Sequence, residues 1–124
     1  MNTIASILLG VMMSVSVAQT QVEAEPQVTY EYAGTYTVTA YNYHEGGGEN
    51  YCTAGGYEPI PYYTVATTEE FPLGTILYIE DLGEVQVQDR GNFQADWIDL
   101  HIGYDPIESW DMRPREVYIV RRKE

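Results

Sequence analysis

The stretch that most constrains this chain spans residues 85–101 and reads Val85-Gln86-Val87-Gln88-Asp89-Arg90-Gly91-Asn92-Phe93-Gln94-Ala95-Asp96-Trp97-Ile98-Asp99-Leu100-His101. It opens with strict apolar–polar alternation, the period of a half-buried strand. The alternation breaks at Asp89-Arg90-Gly91-Asn92, where glycine and asparagine tolerate the left-handed backbone of a tight loop. A second alternation begins at Ile98, with Ile98, Leu100 and Ile102 on one face, so Asp99 and His101 share the other. Two acids, Asp89 and Asp99, therefore stand on either side of one loop, each beside a strand end. Such a placement can form an active site.

The neighbouring segments extend this pattern into an all-β chain. Residues 35–41 alternate as a first strand, and residues 62–66 form a short one. The turn Pro72-Leu73-Gly74 leads into a strand over 75–80, and Asp81-Leu82-Gly83 closes a hairpin onto 84–88. Asp105, Pro106 and Glu108 carry the marks of a helix start, with Pro114 as its stop. A last strand covers 117–120. Between the first two strands runs a long loop, residues 43–61, with glycines at 46–48 and 55–56. Loops of that length in a compact domain are usually functional, and this one is expected to border the cleft. Six or so strands and one short helix suggest a small closed β-barrel.

The run Asp89-x-Gly91-x followed by Ile98-Asp99-Leu100 resembles the signature of the three-aspartate domain family, which includes peptidoglycan lytic transglycosylases and stationary-phase-survival proteins. Further features stand in the family's order: Thr39-Ala40-Tyr41, Thr64-Val65-Ala66, Phe71-Pro72-Leu73-Gly74-Thr75, Trp110 with Arg113, and the strand at 117–120. The resemblance spans roughly residues 35–120. It implies a six-stranded double-psi β-barrel with one short helix, and places the catalytic acid/base at Asp99. The chain departs from the family pattern at three points. Thr67-Thr68 stands where the first aspartate is expected, Asn92 replaces a second glycine, and the loop between Asp89 and Asp99 is one residue shorter.

The residues themselves allow competing roles. An Asp99 carboxyl in partly apolar surroundings would be raised in pKa and hold a proton near neutral pH; it can equally be a strand-end aspartate bonding a loop amide. Asp89 is either a second active-site acid, raising Asp99 by like-charge repulsion, or a carboxylate capping turn amides. Arg90 can bind a substrate carboxylate or pair with a loop acid, and Thr67 can hydrogen-bond sugar or a neighbouring acid. Trp97, Tyr41 and Tyr43, with His101, flank the site as substrate-binding candidates, although aromatics are common at strand positions in any case. His44 and Cys52 lack metal-ligand spacing, and no metal or cofactor is expected. A lytic transglycosylase needs one acid/base, unlike a hydrolase with its carboxylate pair.

Length allows one domain. Residues 4–17 are apolar and uncharged, and Ser16-Val17-Ala18 offers small residues for a signal peptidase. The expected division is a signal peptide over 1–18 (or to 24), a flexible lead-in over 19–33 and a barrel domain over 34–124; a buried N-terminal helix is the alternative for the first segment. The apolar run is too short for an ordinary transmembrane helix, so no stable membrane insertion is expected after cleavage. A net charge of −13 disfavours nucleic acid and anionic membrane as partners. One cysteine excludes an internal disulfide. The resulting expectation is a secreted, extracellular or wall-associated monomer acting on peptidoglycan glycan strands. The competing classes are a non-catalytic, expansin-like polysaccharide-binding barrel and a surface module with a decayed site.

Overall fold

Strand alternation and turn chemistry decide the architecture. In the computed structural model, which describes residues 27–46 and 52–123, the elements are β1 (Val28–Tyr41), α1 (Tyr43–Gly46), β2 (Thr64–Thr67), β3 (Ile76–Ile79), β4 (Gly83–Arg90), β5 (Trp97–His101) and β6 (Arg113–Arg122). The strands close into one mixed barrel in the order β1-β5-β2-β4-β3-β6, with β6 returning to β1. The expected small all-β barrel is therefore what the chain forms. The β1–β5 and β2–β4 pairings are parallel and the other four antiparallel.

Inward positions supply one apolar core: Val38, Val65, Leu77, Ile79, Val85, Val87, Ile98 and Val117 are fully buried, with Leu100 and Ile102 beside them. Each such side chain contributes about 1.5–3 kcal/mol on leaving water. Tyr36 and Phe71 pack against that core and against each other, ring centroids 5.6 Å apart. The Trp110 indole N–H donates to the Val38 carbonyl at 2.8 Å, tying the segment before β6 to β1. The β3–β4 hairpin turns through Asp81 and Gly83, both at positive φ.

Several boundaries differ from the sequence reading; the last strand, for one, runs over Arg113–Arg122 rather than 117–120. β1 begins at Val28 rather than at 35, because residues 28–32 pair with β6 out to Arg122, so a strand takes the last six residues of the expected lead-in, whose residues 19–26 lie outside the described residues. The helix expected after Asp105 is only a single 3-10 turn, Ile107–Ser109. The Trp110 anchor and the start of β6 at Arg113 leave no room to extend it. One helical turn, α1, instead opens the long loop. The segment read as a signal peptide lies outside the described residues. Among those residues no helix is long and apolar enough to cross a membrane.

Candidate functional site

A one-residue bulge sets the site. Val65 of β2 pairs with Val87 of β4, but the next residue, Ala66, pairs with Asp89, so Gln88 is the extra residue. A bulge re-aims the side chains that follow it. Val65 also pairs with Leu100, and Ala66 with Asp99. The two aspartates thus flank Ala66 on either side, at one level of three adjacent strands. Two strand spacings separate their backbones by roughly 10 Å.

Residues 53–57 fold against this level. Thr53 organises its turn: the Thr53 amide donates to the Tyr57 carbonyl, the Gly56 amide to the Thr53 carbonyl, and the Tyr57 amide to the Thr53 hydroxyl. The Gly55 amide then donates to the bulge carbonyl of Gln88 at 3.1 Å. A Cβ on Gly55 would stand 2.9 Å from that carbonyl oxygen, so glycine is required for the approach. The next contact is the Ala54 amide, which donates to Asp89 Oδ1 at 2.9 Å. Asp89 Oδ1 also accepts from the Arg90 amide at 2.9 Å, and Oδ2 accepts from the Tyr41 hydroxyl at 3.5 Å. Asp89 is only 4 % exposed. Its carboxylate holds the loop onto the bulge, close to the amide-capping alternative, although the amides are those of Ala54 and Arg90.

Asp99 has different surroundings. It is half-buried on β5, opposite Thr39 of β1, whose hydroxyl donates to Oδ1 at 2.8 Å. Oδ2 has no hydrogen-bond partner among the described residues. Burial pushes the carboxyl up to about 6; the Thr39 hydrogen bond opposes this, and the charges of Glu45 and Asp89 add to the rise. At neutral pH such a group exchanges protons readily, which is what a general acid/base requires.

The other expected residues divide by surroundings. His101 is fully buried; its Nδ1 accepts from the Gly103 amide at 3.2 Å, while Nε2 has no partner among the described residues. Burial lowers its pKa, with the Asp89 charge opposing, so it stays neutral. Tyr41 and Tyr43 meet the imidazole edge-on at 4.9 and 4.5 Å. Tyr41 is buried, its ring on His101 and its hydroxyl on Asp89. Tyr43 is half-buried and packs against Tyr104 as well. Trp97 is half-buried at the start of β5. Thr67 is buried at the end of β2, its hydroxyl donating to the Thr68 carbonyl and accepting from Arg90 Nη1 at 3.3 Å. Arg90 also donates to the Thr68 carbonyl. It therefore pairs with no loop acid among the described residues.

Thr39, Glu45 and Ala54 escaped the sequence reading as site residues. Thr39 was placed on β1, but its register opposite Asp99 arises only from the parallel β1–β5 pairing. Glu45, in α1 just after β1, acts on Asp99 through its charge. Among the described residues no cluster of His, Cys, Asp or Glu is arranged to hold a metal ion. No protein-family model matches this chain, and no curated protein matches it.

Proposed function

We propose that this chain is a secreted, wall-acting lytic transglycosylase of the three-aspartate type, cleaving the β-1,4 bond between N-acetylmuramic acid and N-acetylglucosamine. The observation that carries the proposal is Asp99: a half-buried carboxyl raised to about 6, oriented through one oxygen by Thr39, with no hydrogen-bond partner on the other among the described residues. Near that pH about half the molecules hold the proton and half do not, so one group can serve both stages of the reaction. In the first stage protonated Asp99 gives its proton to the glycosidic oxygen as the bond to muramoyl C1 breaks. In the second the carboxylate takes the proton from the muramoyl C6 hydroxyl, whose oxygen attacks C1. A 1,6-anhydro ring closes and no water is consumed.

The remaining residues fit supporting parts. Asp89 fixes the loop and adds negative charge beside Asp99. Trp97 offers a ring to a sugar face, and Arg90 and Thr67 stand at the adjoining strand ends. Thr67 in place of the family's first aspartate removes a charge that this one-acid mechanism does not need. The double-psi topology belongs to the same proposal; the parallel β1–β5 and β2–β4 pairings within an otherwise antiparallel barrel support it.

The test is mass spectrometry of soluble fragments from purified peptidoglycan. Wild-type protein should release 1,6-anhydromuropeptides, and Asp99→Asn should lose 10²- to 10⁴-fold in rate, the usual worth of general acid–base catalysis. Fragments with reducing-end muramic acid would point instead to a hydrolase, with Glu45 as the natural second carboxylate. Binding without any fragments would favour the expansin-like reading.

A further inference from the structure

Four tyrosines stand on the outside of the barrel and take no part in its core. Tyr118 of β6 pairs with both Tyr32 of β1 and Tyr78 of β3, while Leu77, Ile79 and Val117 beside them point inward. Strand alternation adds Tyr30 to the same outer face. Tyr30, Tyr32 and Tyr78 are exposed and Tyr118 is half-buried. Aromatic pairs across strands stabilise a sheet, which accounts for rings lying side by side. It does not account for the concave surface that three of them enclose.

Tyr30, Tyr78 and Tyr118 line an open cleft of about 430 Å³. The rings of Tyr30 and Tyr78 meet at 76° with centroids 5.7 Å apart, and those of Tyr78 and Tyr118 at 61° and 6.4 Å. Rings inclined so steeply are the walls of a box. A platform for stacking sugars would need them coplanar in a row. Each ring face is the negative part of an aromatic quadrupole. A cation in the corner between two such walls can lie within about 6 Å of both centroids, the range of a cation–π contact.

The charges on this face have the matching sign. Glu84 stands opposite Tyr78, and Glu116 lies two residues before Tyr118 on the same side of β6. Arg122, the basic residue of this face, is paired with Glu84. A chain of net charge −13 draws cations to its surface and repels anions. The lining rings offer faces rather than carboxylates, which suits a methyl-covered ammonium better than a hydrated one with N–H groups to satisfy. At Tyr78 and Tyr118 both strand edges are already paired, so no peptide strand can join the sheet beside them.

We propose that Tyr30, Tyr78 and Tyr118 form an aromatic cage that binds a small quaternary ammonium solute of the choline type. The cage is separate from the catalytic candidate: Asp99 pairs with Thr39, roughly 30 Å from Tyr30 along β1.

Titration of ¹⁵N-labelled protein with choline and with its uncharged isostere, 3,3-dimethylbutanol, tests the cage. Choline should bind with a Kd on the order of 1 mM and about tenfold tighter than the isostere, shifting the amides of Tyr30, Tyr78 and Tyr118. Tyr78→Leu should weaken choline binding about three- to thirtyfold, whereas Tyr78→Phe, which keeps the ring, should bind as the wild type does. Tyr30→Leu, at the outer end of β1, should show a similar loss and guards against a folding defect at position 78. Phosphocholine, which adds negative charge, and a trimethyllysine peptide should bind no tighter than choline. Tighter binding of either would overturn the assignment to a small free cation. Equal affinity for choline and its isostere, binding that survives both leucine variants, or shifts centred on Asp99 would overturn the cage. So would chitotetraose shifting the three tyrosine amides where choline does not, since the face would then be a sugar platform.

Discussion

Replacing the proposed catalytic acid should make the protein more stable at neutral pH. Asp99 is raised from 3.8 to about 6, chiefly by burial. Its folded pKa therefore lies above its unfolded one, and the native state binds more protons than the unfolded state between those values. By linkage, the contribution of Asp99 to stability is fully present below about pH 4 and is lost as pH rises through about 6. A shift of two units corresponds to about 3 kcal/mol lost by pH 7.5. Asp99 is only half-buried, so solvent screening reduces this to roughly 1–2 kcal/mol. Asp99→Asn removes the charge and keeps an oxygen for the Thr39 hydroxyl. Each kcal/mol is worth roughly 4–8 °C in a domain of this size. Thermal denaturation of both proteins at pH 4 and pH 7.5 reads the effect: the variant should melt higher at pH 7.5, with the gain vanishing at pH 4. A variant that is less stable at pH 7.5, or whose gain is the same at both pH values, would refute the claim that burial of a titrating carboxyl raises Asp99.

Gly55→Ala should lift the loop off the bulge, since its Cβ meets the Gln88 carbonyl at 2.9 Å; a loss of about 1–3 kcal/mol in urea unfolding is expected, with faster hydrogen exchange at Ala54. Leu77→Ala empties a fully buried core position and should cost about 2–5 kcal/mol by the same unfolding assay. Glu31→Ala breaks only the exposed pair with Arg121 and should change stability by less than about 1 kcal/mol, a difference that high salt should shrink further.

What the sequence made legible was whatever local pattern controls. The alternation Ile98, Leu100, Ile102 put Asp99 and His101 together, and the structure keeps that face, with Asp99 half-buried and His101 buried. The Asp81-Leu82-Gly83 turn marked the β3–β4 hairpin. The first half of β1 was missed because residues 29–32 are exposed on both faces and show no inward apolar period; only pairing with β6 makes them a strand. The 3-10 turn at Ile107–Ser109 replaced a helix because a distant carbonyl, that of Val38, claims Trp110. The bulge at Gln88 leaves no mark in the apolar spacing, since the residues around it are polar and its position follows from the register with β2. The loop's grip on Asp89 is likewise non-local: Ala54 and Asp89 are 35 residues apart and meet only in the closed barrel. Motif order located the aspartates; their unequal burial and bonding required the fold.

The most direct test of Asp99 as the acid/base of a water-free cleavage is digestion of peptidoglycan in H₂¹⁸O, with the products read by mass spectrometry. Wild-type protein should yield anhydromuropeptides without ¹⁸O at the muramoyl C1, and Asp99→Asn should yield almost none. Incorporation of one ¹⁸O per cleaved bond would show that water, and not the C6 hydroxyl, attacks C1, and would contradict the mechanism.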